Sequence, residues 1–443
     1  MSHADFWAAI RVGDSPGLAL RPCLSPLVRQ SVYSIVGFLP MQAGSSCPVQ
    51  FDHHAAAFAA DPWTPLRVLR ETCPVAYTES HGGFWIITSY AEIREIASDD
   101  IRFSSAKGLT IPDKTNPSQR SIPAEVDPPD FLAFRRILHP MLSPAAVDRL
   151  TPVIERFVHA TIDSFIEDGQ CDFVHDLADP LPAMTTLYKL GLPVDLWREF
   201  SEPLHKVIFL RHDSPEREGV PEQLQAITRL LYETIAARRE SPRDDMISYL
   251  IGCEVNGRPV TDLEVKEMVY LTIQGGFDTT GSAISNALIQ LHRDRDARQR
   301  LIDDPELLPT AVEEFLRYEA PQLALARTAN VDATIGDKEI RAGDRLLLVW
   351  ASGNRDADVF DNPDEFQLDR FPNRHMTFGL GAHRCLGSNL ARRQMELALR
   401  GVLKRLPDYE LDLDNARRAE TVGIVYGMYS LPATFSRGQR WFR

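Results

Sequence analysis

One long helical pattern constrains the fold of this chain more than any other feature. From Thr261 to about His292 an apolar pattern continues without a proline. A helix over this stretch would hold about 32 residues and extend roughly 48 Å. Thr261 and Glu264 have the spacing of a capping box, which marks the start of a helix. Because the stretch contains acids and a lysine, it does not suit a membrane, and we expect it to cross the middle of a large domain.

The rest of the chain is helix-rich with a smaller β portion. Alternating residues around a Gly-Gly pair predict a β-hairpin over 75–89, and the pattern is almost entirely helical from 130 to about 292. A helix over about 308–319, strand-like segments over about 324–350 and a helix over 386–405 follow. These patterns predict a mainly α fold of the α+β class.

The N-terminal residues differ from the rest of the chain. Residues 1–45 show weak periodicity and many glycines, prolines and serines, which predicts a poorly ordered extension. We find no internal repeat and no low-complexity tract, and we expect a single domain over 46–443.

Charge and cysteine usage argue against several classes of protein. Acidic residues outnumber basic ones, 62 against 48, so the formal net charge is −14. Nucleic acid would favour a basic surface, and we expect no such partner. No apolar run reaches the roughly 18 residues of a membrane span. The six cysteines are scattered singly, which argues against a zinc ribbon or a disulfide scaffold and fits a reducing cytoplasm.

The sharpest motif is a cysteine in a glycine-rich loop, Phe378-Gly-Leu-Gly-Ala-His-Arg-Cys385-Leu-Gly387, directly before a predicted helix. The N-terminus of that helix offers a positive field and free N–H groups, which favour thiolate over thiol. Gly381 and Gly387 allow the backbone to approach the sulfur, and hydrogen bonds there would tune a bound iron. One alternative stays open, a buried structural cysteine. A dinucleotide-binding loop is not supported, because Arg384 breaks its fingerprint and no strand clearly precedes the loop.

The middle of the long helix carries a second unusual feature. Gly275 and Gly276 are adjacent there, and each weakens a helix by roughly 1 kcal/mol relative to alanine. The hydroxyl of Thr279 can bond the carbonyl of Gly275, and the combination would distort the helix and open a groove. On its own, the pattern is equally consistent with a polar helix face.

With these motifs the sequence resembles the cytochromes P-450, a family of haem-thiolate monooxygenases, over about residues 50–435. The Phe-x-x-Gly-x-x-x-Cys-x-Gly pattern is their haem loop, and the likeness is to the soluble bacterial branch. The resemblance implies the cytochrome P-450 fold, in which a long central helix crosses over the haem. It also implies that Cys385 is the axial ligand of a haem b iron, and that Phe378 and Gly379 belong to the loop that binds the haem.

The resemblance further implies roles for residues on both sides of the haem. In the family the groove seats dioxygen, and the residues matching Asp278 and Thr279 form an acid–alcohol pair that relays protons during O–O cleavage. The residues matching Arg135, Arg327 and His383 bind the haem propionates. Many relatives have a histidine four residues before the first of these arginines, where this chain has Phe131, so one expected propionate bond is missing or replaced.

A third motif concerns folding rather than catalysis. Glu314 and Arg317 are three residues apart, lie on one helix face and can pair, although such pairs are common on exposed helices. By resemblance, these two and Arg370 form a buried structural network near the haem loop.

The substrate pocket can be sketched by matching position. The set is mainly apolar and suits a hydrophobic substrate such as a terpene, a steroid or a fatty-acid chain. Its polar member could hydrogen-bond a substrate oxygen. The matching residues are Leu271, Gln274, Gly275, Leu323, Ile424 and Val425.

The resemblance also implies a redox partner. Members of this branch receive electrons, ultimately from NAD(P)H, through a ferredoxin or flavodoxin and its reductase. We expect the partner to dock on the cysteine side, where Arg135, Arg136, Arg392 and Arg393 could meet an acidic ferredoxin.

The sequence therefore predicts a monooxygenase that uses O2 to hydroxylate or epoxidise a small hydrophobic substrate. Two alternatives stay open. One is a haem-thiolate peroxygenase or isomerase, although relatives of that kind usually lose the acid–alcohol pair. The other is a haem or hydrophobic-ligand binding protein without turnover. The sequence has no Gly-x-Ser-x-Gly and no His-Glu-x-x-His, so a serine hydrolase or a zinc protease has no support.

Overall fold

The computed structural model describes residues 48–113 and 120–442. The predicted extension over 1–45 lies outside these residues. Within them the predicted mainly α fold with a smaller β portion is confirmed.

Helices make up most of the described chain. In chain order they are α1 Ala56–Ala60, α2 Trp63–Thr72, α3 Tyr90–Ala97, α4 Asp130–Leu142, α5 Pro144–Asp163, α6 Pro180–Leu190, α7 Trp197–Phe209, α8 Val220–Glu240, α9 Met246–Ile251, α10 Asp262–Gly276, α11 Asp278–Arg293, α12 Arg295–Asp303, α13 Leu308–Tyr318, α14 Trp350–Gly353 and α15 Ser388–Arg405. A π-helical turn, Val174–Ala178, precedes α6.

The strands are short. They are β1 Val75–Thr78, β2 Phe84–Ile87, β3 Phe103–Ser104, β4 Gln170–Asp172, β5 Glu254–Val255, β6 Arg258–Pro259, β7 Leu325–Ala329, β8 Ala333–Ile335, β9 Lys338–Ile340, β10 Arg345–Leu348, β11 Glu410–Leu411, β12 Arg417–Arg418, β13 Met428–Ser430 and β14 Pro432–Thr434.

One mixed sheet of five strands has the order β1-β2-β10-β7-β3. Its first two strands form the predicted hairpin, with Val75 opposite Ile87. Strand β10 runs parallel to β2 and antiparallel to β7, which carries Arg327. A second sheet has the order β11-β14-β4, and the other strands of the described residues pair two by two. The first sheet therefore brings a buried arginine of β7 to the site described below.

The long central helix is present but broken at one residue. The predicted capping box is confirmed, because Thr261 and Glu264 exchange side-chain to backbone bonds. Helix α10 ends at Gly276 and α11 begins at Asp278, while Phe277 between them leaves the helical region with φ −82° and ψ −83°. The continuous pattern from Thr261 to about His292 therefore corresponds to two helices, and the distortion lies where the two glycines predict it.

Helix α11 lies at the centre of the larger apolar cluster. Its residues Ile284 and Leu288 are fully buried, in one cluster with Ile154 of α5, Phe315 of α13 and Leu399 of α15. Helix α10 belongs to a second cluster with α4 and α6 to α9. The prediction that this stretch crosses the middle of a large domain is confirmed. No helix within the described ranges is long and apolar enough to cross a membrane.

Candidate active site

The cysteine loop turns back on itself immediately before α15. The backbone N–H of Cys385 donates to the carbonyl of Phe378 at 2.8 Å. Gly379 and Gly381 adopt positive φ angles of 69° and 68°, which favour glycine. The chain then enters α15 through Gly387. The loop thus presents Cys385 beside the N-terminus of a helix, as the sequence predicts.

Residue Cys385 keeps accessible surface, yet enough protein surrounds its thiol to desolvate it. Burial raises the pKa of Cys385, while the backbone N–H of Gly387 and the positive charge of Arg135 lower it. A side chain that is both enclosed and accessible faces an internal space rather than bulk water. Gly379 also borders open space, because a Cβ added there would meet no atom within 4 Å.

Gly387 and Gly381, the two glycines expected beside the sulfur, have different neighbours. A Cβ at Gly387 would lie 3.8 Å from the sulfur, in ordinary contact, so the backbone there does border the thiol. A Cβ at Gly381 would lie 2.2 Å from the carbonyl oxygen of Ala97. The lack of a side chain at Gly381 therefore lets the loop pack against the end of α3, a role that the sequence did not reveal.

Arg327 and Arg135, together with the uncharged ring of His383, form a cationic group without an ion-paired carboxylate among the described residues. Arg327 is 4 % exposed, and burial lowers its pKa to about 10. Among the described residues its guanidinium makes one hydrogen bond, to the carbonyl of Ala326 at 2.8 Å, and no ion pair. Arg135 donates to the carbonyl of Arg384 at 2.9 Å. This group is therefore suited to receive a buried anion.

His383 is held as a neutral ring within this group. Burial, together with the positive charges of Arg327 and Arg135, lowers its pKa to about 3. Its Nε2 lies 3.2 Å from the hydroxyl oxygen of Ser105. The Phe131 ring stacks on it, with centroids 3.9 Å apart and planes 24° apart. Where many relatives have a histidine, this chain therefore has an aromatic ring that orients His383.

Asp278 and Thr279 lie at the break between α10 and α11, and their surroundings differ. The hydroxyl of Thr279 donates to the carbonyl of Gly275 at 2.7 Å, as predicted. Gly275 is exposed at this point of the helix, and a Cβ there would meet nothing within 4 Å. Asp278 is buried, and its Oδ2 has no hydrogen-bond partner among the described residues. The buried carboxyl group of Asp278 and an open helix face therefore lie at the same turn of the chain.

The sequence did not reveal the partners of Asp278. His205 of α7 lies with Nδ1 2.9 Å from Oδ1 of Asp278 and 3.6 Å from Oδ1 of Asp179. His175 lies with Nδ1 3.6 Å from Oδ2 of Asp179, and its side chain is 44 % exposed. A chain of titratable groups thus leads from the surface to Asp278. The sequence held one indication of this role: His205 is a polar residue next to Leu204 on the buried side of α7.

These groups shift one another's protonation. Burial lowers the pKa of His205, but Asp179 and Asp278 outweigh it and raise the value to about 9. Burial raises the pKa of Asp278, against the opposing effect of His205. The cluster therefore retains protons at neutral pH.

Glu314, Arg317 and Arg370 come together as the resemblance implied. The side chains of Glu314 and Arg317 are 0 % exposed and form two hydrogen bonds, of 2.7 and 2.8 Å. Arg370 reaches Glu314 at 3.2 Å. Arg317 also donates to the carbonyls of Asn354 and Pro363. The network fastens the segment before the cysteine loop to α13.

The sketched pocket residues have different surroundings. Leu271, Gln274 and Ile424 are partly buried, and Gly275 is exposed. Leu323 packs in the cluster on one face of the large sheet, and Val425 packs against the end of α7. The first three residues of the sequence sketch, all on α10, therefore lie at the open helix face, whereas Leu323 and Val425 are almost fully covered.

Comparison with known proteins gives consistent matches. A family model described as Cytochrome P450 matches residues 202–418. The chain is 33 % identical over 359 residues to a steroid C26-monooxygenase of Mycolicibacterium smegmatis, covering 80 % of this chain and 88 % of that protein. It is 33 % identical over 360 residues to linalool 8-monooxygenase of Pseudomonas putida, covering 77 % and 88 %. A solved Mycobacterium marinum cytochrome P450 in complex with pseudoionone is similar with a TM-score of 0.82 and 27 % identity, covering 89 % and 100 %.

Proposed function

This chain belongs to the cytochrome P450 family of monooxygenases, and on that premise we propose that it hydroxylates or epoxidises a small hydrophobic substrate at a haem held by Cys385. The observation that carries the proposal is the thiol of Cys385, which is accessible and desolvated at once, next to the N-terminus of α15 and within the field of Arg135. A thiol in this position suits a metal ligand.

The residues present fit haem b, which offers one iron and two propionates. Cys385 would hold the iron. Arg327, Arg135 and His383 would bind the propionates. A propionate would neutralise the buried guanidinium of Arg327, which has no carboxylate partner among the described residues. Phe378 and Gly379 would border the ring. Haem iron, when bound, activates dioxygen and transfers one oxygen atom, with electrons that originate from NAD(P)H.

On the other side of the open space, Asp278 would supply protons. Its Oδ1 meets Nδ1 of His205, and the same nitrogen faces Asp179, so one proton at Nδ1 can serve either carboxyl group. His175 brings this chain of groups to the surface. We propose that protons pass from His175 through Asp179 and His205 to Asp278.

Thr279 would act through its oxygen atom. Because its hydroxyl donates to the carbonyl of Gly275, the lone pairs of Oγ1 stay available to accept a hydrogen bond in the groove. The same bond keeps the carbonyl of Gly275 occupied where the helix is broken. By accepting a hydrogen bond at Oγ1, Thr279 would hold the group that donates it in the groove beside Asp278. Its own bond to Gly275 would keep the groove open.

The substrate class belongs to the same proposal. The names of two similar proteins give a steroid and linalool, a terpene alcohol, as what those proteins act on. The open face of α10 offers Leu271, Gly275 and one polar group, Gln274, with Ile424 as a further candidate. We infer a terpene or steroid with one oxygen function that the Gln274 amide binds.

Electrons would arrive from a ferredoxin or flavodoxin in the cytoplasm. On the cysteine side Arg136 and Arg384 are exposed and Arg135 is half-buried. Arg392 is less available than the sequence suggested, because it pairs with Glu313 through two hydrogen bonds. Arg136 and Arg384 are therefore the better candidates for contact with an acidic partner.

The visible spectrum of the haem-loaded enzyme tests the proposal. The Cys385→Ser variant should lose the Soret position of a thiolate-bound iron, whereas Cys253→Ser, which replaces a free cysteine between α9 and β5, should keep it. Titration with terpenes and steroids should shift the Soret band of the wild type. A Cys385→Ser variant with the wild-type spectrum would overturn the proposal.

A further inference from the structure

Three histidines outside the haem site meet near the N-terminal end of the described chain. His53 and His54 precede α1, and His81 lies in the turn between β1 and β2. The centroids of His53 and His54 are 4.3 Å apart, and those of His81 lie 5.7 and 5.2 Å from them. One ring nitrogen of each residue lies within 4.8 Å of one from each of the others.

Each of these rings is anchored through Nε2 to an oxygen that can only accept a hydrogen bond. Nε2 of His53 and Nε2 of His54 lie 2.8 and 2.7 Å from the carbonyl oxygen of Ile111. Nε2 of His81 lies 2.8 Å from a carboxylate oxygen of Asp52. Neutral rings must therefore carry their proton on Nε2 and a free lone pair on Nδ1. Histidines that bind metals are oriented by such second contacts to carbonyl and carboxylate oxygens.

One of these nitrogens is an unexplained polar atom. Nδ1 of His53 is buried and has no hydrogen-bond partner among the described residues, and His53 is 3 % exposed. A buried acceptor without a partner is costly. Nδ1 of His54 lies 3.0 Å from the hydroxyl of Thr421, a bond that a metal would replace.

We propose that His53, His54 and His81 bind one Zn²⁺ ion, with water as the fourth ligand. Three neutral imidazoles suit Zn²⁺. Zinc–nitrogen bonds of about 2.0–2.1 Å place two ligand nitrogens of a tetrahedral site roughly 3.3 Å apart. Ring nitrogens of the three residues already lie within 4.8 Å of one another, and rotation of the side chains would bring their Nδ1 atoms to that spacing. The side chain of His81 is 24 % exposed, which leaves a path for the ion and the water.

The backbone at His81 supports a role for its side chain. His81 has φ 51° and ψ 32°, a left-handed conformation that is uncommon for a residue with a Cβ. The conformation directs the ring towards His53 and His54. A bound ion would join the segment before α1, the β1–β2 turn and the backbone at Ile111. Zn²⁺ would thus clamp three segments of the fold, independently of the haem.

Calorimetric titration of chelator-treated, haem-loaded full-length enzyme with Zn²⁺ tests the proposal, and metal analysis after gel filtration gives the stoichiometry. We expect one ion per chain. The His81→Ala variant should bind at least tenfold more weakly, and Asp52→Ala should weaken binding about 10- to 100-fold by removing the acceptor that orients His81. His212→Ala, at an exposed histidine elsewhere, should bind as the wild type does.

A second histidine cluster provides the competing explanation. His175, Asp179 and His205 also bring their ligand atoms within 4.8 Å of one another. If His175→Ala abolishes zinc binding while His81→Ala leaves it unchanged, the assignment to His53, His54 and His81 is overturned. Equal binding in every variant, or no binding by the wild type, overturns it as well. His81 lies in a surface turn, so its variant should fold, and a wild-type Soret spectrum would confirm that.

Discussion

Arg327 is the residue whose surroundings say most about the haem site. A guanidinium with one hydrogen bond and 4 % exposure is costly to bury unless an anion neutralises it. Arginine binds carboxylates through paired N–H donors, as a propionate would require. In the proposed site, Arg327 would therefore lower the stability of the haem-free protein and raise its affinity for haem.

Replacing Arg327 by leucine separates these two effects. Arg327→Leu should raise the free energy of unfolding of the haem-free protein by about 1–2 kcal/mol, because a buried charge disappears. Haem affinity should fall about 10- to 100-fold, since one charge-assisted contact is lost. Denaturation of the haem-free protein and haem titration measure the two quantities. Arg341→Leu, at an exposed turn, should change neither. Loss of both stability and affinity would contradict the account.

His205 gives the fold a specific pH dependence. Its pKa is raised from 6.5 to about 9 by Asp179 and Asp278. A raised pKa adds stability that is fully present below pH 6.5 and is lost as the pH rises through about 9. The advantage of the wild type over His205→Gln in free energy of unfolding, at most about 3 kcal/mol at low pH, should therefore shrink as the pH rises from 6.5 to 9. Denaturant titrations at several pH values measure this difference, with His212→Gln as the control. A difference that does not change with pH would contradict the assignment.

Residue-level prediction succeeded where the partners are close in sequence. The bond from Thr279 to Gly275 spans four residues and follows from helix geometry. His205 pairs with Asp278 across 73 residues, which no local pattern can specify. The close approach of Gly381 to the carbonyl of Ala97 was not predicted, because a glycine in a sequence indicates that space is needed but not for which neighbour.

At the scale of elements, the break between α10 and α11 organises the site. Two glycines lower helix stability, and Thr279 bonds back to Gly275, so the helix leaves its regular path at Phe277. Gly281 then allows α11 to approach the π-helical turn, since a Cβ there would lie 2.6 Å from the carbonyl of Ala178. Asp179 follows that carbonyl directly. The close crossing of two elements therefore brings Asp179 near the break.

The attachment of the segment before the cysteine loop to α13 depends on Glu314. Truncation by Glu314→Ala would leave Arg317 and Arg370 buried without their carboxylate, and we expect a loss of about 3–5 kcal/mol in free energy of unfolding. Asp148→Ala, which removes an exposed partner of Arg393, should cost less than about 1 kcal/mol. Chemical denaturation compares the two variants. Equal losses would show that the buried network does not fasten the segment.

At the scale of the whole molecule, the fold class followed from helical periodicity and the motifs, and it is confirmed. The placement of the cationic group did not follow from local pattern. Arg135 is in α4, Arg327 in β7 and His383 in the cysteine loop, and only the tertiary fold brings them together. Their roles could be expected from family resemblance, but the stacking of Phe131 on His383 could not, because this chain departs from the family there.

The distribution of charge bears on electron delivery. The chain as a whole is acidic, with a net charge of −14, so an acidic partner needs a local basic surface. Charge reversal at Arg136 and Arg384 should slow reduction by ferredoxin on the order of tenfold at low salt, and the difference should narrow as salt screens the charges. Arg229→Glu on α8 should leave the rate unchanged. Stopped-flow reduction measures these rates, and an unchanged rate in the double variant would place the partner elsewhere.

The central claim is that this protein is a monooxygenase that takes its oxygen atom from O2. The most direct test supplies the haem-loaded enzyme with isotopically labelled O2, NADPH, a ferredoxin with its reductase, and a terpene or steroid that shifts the Soret band. We expect one labelled oxygen atom in each product molecule, and loss of labelled product when Asp278 is replaced by asparagine. A product that carries unlabelled oxygen from added peroxide, or an isomerised product without new oxygen, would contradict it.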